Sequence, residues 1–289
     1  MQNLNWYPGH MTKARRMMQE QLALVDLLIE LADARVPAGS RNPDIAALCG
    51  SKPRILVLNK ADLADPVRTE RYASALRETG QLVLIMDART RKDTGGVRRA
   101  MEEACRAKIE RDRKRGILNR PLRAMAVGIP NVGKSTLINT LAGRGSAKVG
   151  NRPGVTKGKQ WISLGGTMQL LDTPGILWPR FEDPDIGVRL ALIGSISDDI
   201  LDIGGLASRL IRYLTAKYPG IMERRYAGEN VRFPVIEGED QTAHLRAVAM
   251  VRNLWKKGQE PDLARAAALI IDDFRSGRLG RISLEDGSI

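Results

Sequence analysis

The stretch Val127-Gly128-Ile129-Pro130-Asn131-Val132-Gly133-Lys134-Ser135-Thr136 constrains the fold more than any other, because it reads G-x-x-x-x-G-K-S between an apolar run and a helical pattern. Leu122 to Val127 reads as a strand and Lys134 to Leu141 as a helix. A strand that turns sharply into a helix aims the helix's first N–H groups and its dipole at an anion. Gly128 and Gly133 allow the backbone to curl inward around phosphates, Lys134 reaches the β and γ oxygens, and the Ser135 hydroxyl can ligate Mg²⁺. The pattern predicts a nucleoside triphosphate site formed by Asn131, Val132, Gly133, Lys134, Ser135 and Thr136.

The base is decided by Asn59-Lys60-Ala61-Asp62, an N-K-x-D box at the end of the apolar run Ile55 to Leu58. Asp62 can accept both N1–H and N2–H of guanine, whereas adenine would turn an acceptor toward that carboxylate, a costly mispairing. Asp87-Ala88-Arg89, after a strand at Leu82 to Met86, resembles the S-A-K loop that touches guanine, with Asp87 in the serine position. Pro153-Gly154-Val155-Thr156 supplies a switch I threonine for Mg²⁺. Asp172-Thr173-Pro174-Gly175, after Met168 to Leu171, supplies the D-x-x-G of switch II, adding Asp172 to the metal set and Gly175 to the nucleotide set. In ordinary GTPases the phosphate loop precedes the guanine box, and here the order is reversed. The expected fold is therefore α/β, a circularly permuted P-loop GTPase domain, followed by an all-helical domain.

That order, together with Trp6-Tyr7-Pro8-Gly9-His10-Met11, Asp33-Ala34-Arg35-Val36-Pro37 and Ser40-Arg41-Asn42-Pro43, closely resembles the ribosome biogenesis GTPase A (YlqF/RbgA) family over almost the whole chain. The resemblance implies a cytoplasmic enzyme that hydrolyses GTP to GDP on the maturing large ribosomal subunit, with a helical domain, residues 178–289, that contacts ribosomal RNA. The G domain would span 1–177. Residue pattern alone stops at a permuted GTPase with a helical appendage.

Charge agrees with an RNA partner. Residues 1–177 hold 30 of the 46 Lys and Arg and 16 of the 33 Asp and Glu, a net +14, while the remainder is −1. A positive field confined to the G domain suits a phosphate backbone and a salt-dependent affinity. A solvated basic surface is the plainer reading. Aromatic residues are 4% of the chain, so base stacking is expected to contribute little. Cys49 and Cys105 have neither disulfide nor zinc spacing. Acidic residues interrupt every long apolar run, and residues 1–5 leave no room for a leader, so no membrane partner is expected and the protein should be cytoplasmic.

Along the chain, Thr12 can cap a helix running through Met17, Met18, Gln21, Leu22 and Val25, with Lys13, Arg15 and Arg16 either solvated or on RNA. Leu27 to Leu31 reads as a buried strand. Helices are expected at Pro66 to Glu78 and Gly96 to Lys108, and Arg106 to Arg123 as a basic surface linker across the permutation point, an RNA-facing patch, or both. Residues 143–160 read as switch I, and Trp161 to Leu164 with Met168 to Leu171 as a hairpin. Beyond Pro179, Ile203, Leu206, Leu210, Ile211 and Leu214 form one apolar helical face and Leu263, Ala267, Ile270, Ile271 and Phe274 another. Gly220 to Asp240 reads as a long loop, His244 as a packed or surface residue, and Gly277 to Arg281 as a turn that could contact RNA.

The implied chemistry is in-line attack of water on the γ-phosphate. The position after the D-x-x-G is Ile176, which cannot orient water, so intrinsic hydrolysis is expected to be slow. His10 is the candidate substitute, since imidazole can polarise water near neutral pH; helix capping or RNA contact is its alternative. The resemblance favours the catalytic role, since that family pairs a hydrophobic residue after D-x-x-G with a His in this motif. Asn131 resembles a residue of potassium-activated GTPases, so K⁺ is a candidate second cofactor, loop shaping being the alternative. Two functions remain open at this point: an assembly GTPase that is monomeric off the ribosome, or an RNA-binding placeholder that hydrolyses GTP incidentally. A tRNA-modification GTPase fits less well, because no companion catalytic module is evident.

Overall fold

The computed structural model describes residues 18–118, 120–143, 160–164, 168–172, 184–227 and 242–289. By contacts the chain forms two compact units, one extending to Pro184 and including Glu285–Ile289, the other Asp185–Leu284.

The first unit is built on one sheet of β1 (Leu27–Asp33), β2 (Arg54–Asn59), β3 (Leu82–Ile85), β4 (Leu122–Val127), β5 (Gln160–Ser163) and β6 (Met168–Asp172), in the order β3-β2-β1-β4-β6-β5. All pairings are parallel except β5 with β6. β1 is buried at all seven positions, as a parallel strand covered on both faces must be. Its internal carboxylate, Glu30, is held by Arg41 at 3.1 and 3.2 Å. On one face of the sheet lie two clusters, Met18, Leu22, Val25, Leu28, Ile45 and Met125 in one and Leu56, Leu58, Tyr72, Leu76 and Val83 in the other, as the register of β1 with β2 and β4 places them.

The helices of this unit are α1 (Asp44–Cys49), α2 (Pro66–Glu78), α3 (Thr94–Ala104), α4 (Arg106–Lys114) and α5 (Lys134–Ala142). α2 has the expected bounds for a local reason: Asp65 accepts the Val67 and Arg68 N–H groups at 2.9 and 3.2 Å, and Pro66 fits the first turn. The helix expected over Gly96–Lys108 is instead two helices meeting at Cys105, and the segment read as a linker is helical to Lys114. Cys105 is buried, which pins the break, while α4 buries no residue and is tied down by Lys108 to Asp112 at 2.7 Å and to Asp26 at 3.6 Å. Near the start, residues 18–22 are helical, but the chain leaves the helix before Val25, which enters the core from a turn. Thr12 and its neighbours lie outside the described residues, as does the switch I stretch 144–159.

The second unit contains α6 (Pro184–Leu192), α7 (Ile203–Lys217), α8 (Ile221–Tyr226), α9 (Ala243–Val251) and α10 (Leu263–Arg275). α7 and α10 pack together through the two apolar faces expected, with Leu206, Leu210, Leu214, Ile270 and Phe274 all buried. The start of the Gly220–Asp240 loop is in fact α8, because Ile221, Met222 and Tyr226 turn inward. His244 is buried. Arg278 of the last turn is engaged by Asp272 at 2.6 Å and Asp273 at 3.1 Å.

Glu285–Ile289 belong to the first unit. The Glu285 carboxylate accepts the N–H groups of Ala38 and Gly39 at 2.7 and 2.9 Å, and Arg68 and Arg71 donate to the carbonyls of Glu285 and Asp286. Gly287 lies so close to the Arg68 carbonyl that a Cβ would collide with it.

Candidate nucleotide-binding site

Parallel strands deliver their carboxyl ends to one edge of the sheet, and ligands of such sheets bind there, beside the point where strand order reverses. Here β1 leads through β2 to β3 on one side, and β4 lies on the other side of β1. At this edge β1 ends in Asp33, β2 in Asn59, β3 runs into Asp87, β4 into the Gly128 loop and β6 ends in Asp172.

Asn59 joins three of these loops. It is 2% exposed, its Nδ2 donates to the Val132 carbonyl at 2.7 Å, and its Oδ1 accepts the Ala88 N–H at 2.8 Å. Thr140 of α5 closes the ring by donating to the Ala88 carbonyl at 2.6 Å. Gly133, at φ +97°, leaves room for the Asn59 amide where any side chain would collide. Gly128 is required by close approach: a Cβ would sit 2.6 Å from the Leu31 carbonyl of β1. Residues more than seventy apart in sequence thus fix the phosphate loop against the guanine box.

Within the loop, Lys134 is buried and its Nζ donates to the carbonyls of Gly128 and Ile129 at 3.0 and 2.9 Å, so the ammonium spans the loop's rim. Asn131 adopts φ +61°, and Ser135 and Thr136 open the first turn of α5. In the guanine box, Ala61 N–H donates to the Met86 carbonyl at 3.1 Å, which places Asp62 beside Asp87 and Ala88. Lys60, at φ +59°, turns its Nζ back to Asp33 at 3.0 Å.

Asp33 is fully buried and also receives Arg35 through Nε and Nη2 at 2.9 and 2.8 Å. Burial pushes its carboxyl upward, but the Arg35 and Lys60 charges and the Arg35 hydrogen bonds outweigh that and hold it well below the usual carboxylate range. The same principle governs Asp87, whose carboxyl is lowered chiefly by the hydrogen bond from Arg89. Arg89 also reaches Asp62 at 2.5 Å.

The chain is 42% identical to a ribosome biogenesis GTPase A from Priestia megaterium over 99% of its own length and 97% of the relative's. It belongs to the ribosome biogenesis GTPase A family. A family model described as "50S ribosome-binding GTPase" matches residues 123–201. Among solved structures, a GNP-bound YlqF from T. maritima superposes with a TM-score of 0.65 at 28% identity, covering 96% of this chain and 100% of that one. A GDP-bound structure of TM YlqF gives a TM-score of 0.66 at 27% identity, covering 93% and 98%. This ribosome biogenesis GTPase A homologue is accordingly a GTPase of mixed α/β fold, and the guanine box preceding the phosphate loop is consistent with the permuted order of that family.

GTPases of this kind are generally Mg²⁺-dependent, and the donors present suit a hard cation. Ser135 opens α5, and Asp172 ends β6, the strand paired to the one that feeds the phosphate loop. Thr156, Gly175, His10 and Ile176 lie outside the described residues. No cluster of three or more His, Cys, Asp or Glu side chains suited to a metal occurs among the described residues. Nor is any described helix long and apolar enough to cross a membrane.

The sequence places Asp33-Ala34-Arg35 at the carboxyl end of a buried strand, where such sheets bind ligands, but does not show that Asp33 anchors Lys60. Nor does it show the bond from Arg89 to Asp62, for which no local pattern exists.

Proposed function

We propose that this family member is a GTP-hydrolysing assembly factor for the large ribosomal subunit, binding the immature particle in its GTP state and leaving on hydrolysis. The observation that carries the nucleotide half of this reading is the Asn59 bridge, which holds the Val132 and Ala88 loops in one site despite the rotated chain order. Asp62 reads the guanine edge, with Asn59, Lys60, Ala61, Asp87 and Ala88 shaping the pocket. Lys134 exchanges its loop carbonyls for β and γ oxygens, and Asn131, Val132, Gly133 and Thr136 surround the phosphates with Gly175. Ser135, Thr156 and Asp172 hold Mg²⁺, which when bound offsets charge developing on the phosphate oxygens. Asn131 favours a potassium ion in the same service. His10 places the attacking water.

The ribosomal half rests on charge. α4 exposes Arg106, Arg111, Arg113 and Lys114 and carries no buried residue, as a helix facing phosphates could. Off the particle the protein is expected to be a monomer in the cytoplasm, and its helical unit to add RNA contacts. Co-sedimentation with large-subunit particles tests the reading. Binding should be strong with a non-hydrolysable GTP analogue, weak with GDP, and steeply salt-dependent, with Arg113, Lys114 and Arg115 reversed to Glu flattening the salt slope by about three units. Equal sedimentation with analogue, GDP and no nucleotide would argue against a nucleotide switch.

A further inference from the structure

The carboxylate assigned to the base is solvent-exposed but already engaged by Arg89. Arg89 Nη2 lies 2.5 Å from Asp62 Oδ2 and 2.8 Å from Asp87 Oδ2, and its Nε donates to both Asp87 oxygens at 2.9 and 3.1 Å. The backbone builds this arrangement: Arg89 N–H donates to Asp87 Oδ1 at 3.0 Å, and Thr90 N–H and Oγ1 close the turn on the Asp87 carbonyl at 3.0 and 2.9 Å. Arg89 is therefore anchored on Asp87, 17% exposed, and reaches outward to Asp62, 32% exposed.

We propose that Arg89 is a displaceable latch on Asp62 that competes with the incoming base, and so sets both guanine-nucleotide affinity and discrimination against hypoxanthine. The proposal rests on the reading of Asp62 as the guanine acceptor. Guanine presents two donors, N1–H and N2–H, and needs both Asp62 oxygens, one of which Arg89 holds. Hypoxanthine lacks the 2-amino group and needs one oxygen, so it can bind with the latch closed. Opening is easy, because Arg89 keeps its fork on Asp87 and gives up a single exposed contact. Exposed pairs of this kind shift an equilibrium modestly, and an apparent affinity falls by the fraction of the protein that is competent. The latch should weaken guanine-nucleotide binding about two- to fivefold.

The test is a titration of GDP, a non-hydrolysable GTP analogue and IDP against the wild type, Arg89→Ala and Arg89→Lys. Arg89→Ala should bind both guanine nucleotides about two- to fivefold more tightly, mainly through faster association, and leave IDP unchanged. Arg89→Lys, which keeps the charge without the fork, should fall between. A merely structural role for Arg89 would weaken all three ligands together. Asp62→Asn, titrated with xanthosine and guanosine diphosphates, separates the two levels of the argument. If Asp62→Asn does not shift preference toward xanthosine, the guanine-box reading fails and the latch with it. If the preference shifts but Arg89→Ala leaves guanine affinity unchanged or lowers it, the latch alone is wrong.

Discussion

Asp33 is fully buried yet held ionised, because Arg35 and Lys60 both close on it. Replacing it with Asn would take from Arg35, 1% exposed, the carboxylate it pairs with, and breaking a buried ion pair typically costs about 3–5 kcal/mol. Its folded pKa lies below the unfolded value of about 4, so its contribution is present above that pH and is lost as pH falls toward the folded value. Asp33→Asn should thus be strongly destabilised in urea unfolding at pH 7, with the gap to wild type narrowing at pH 3. A loss below about 1 kcal/mol at pH 7, or a gap that widens in acid, would remove Asp33 from this role. The residue was legible as part of a motif, but its partner was not. Lys60 is 27 positions away and arrives only through the β1–β2 register that pairs Asp33 with Asn59.

At the level of elements, the strands were the most legible parts. β2 and β4 are apolar runs bounded by a turn or a glycine, and a parallel strand buried on both faces needs little else to be recognised. α2 was legible as a helical stretch with its observed bounds, and the structure adds the Asp65 cap. What could not be read were elements with no apolar period: α4 is mostly charged and buries no residue, and α8 is one and a half turns held by three inward side chains. The phosphate loop carries a prediction at this scale. Its Asn131, in a left-handed conformation on the rim, is the proposed potassium ligand. Hydrolysis should be faster in KCl than in NaCl at matched ionic strength, and Asn131→Ala should erase the difference. Identical wild-type rates in the two salts would assign Asn131 to loop shape alone.

The whole molecule combines a strongly basic nucleotide-binding unit with a nearly neutral helical one, an asymmetry plain in the sequence. The return of Glu285–Ile289 to the first unit was not plain, since nothing in five mostly polar residues announces that Glu285 will accept two backbone N–H groups beside Asp33. The proposal at this scale is that the permuted GTPase is slow alone and is switched on by the large subunit, with His10 supplying the water contact that Ile176 cannot. Single-turnover GTP hydrolysis, with and without purified large-subunit particles, in wild type and His10→Ala, tests it most directly. The particle should accelerate the wild type by at least about tenfold, and His10→Ala should bind the particle and GTP normally while losing most of that acceleration. A wild-type rate unchanged by the particle would contradict the claim, and an accelerated His10→Ala would place the water with another group.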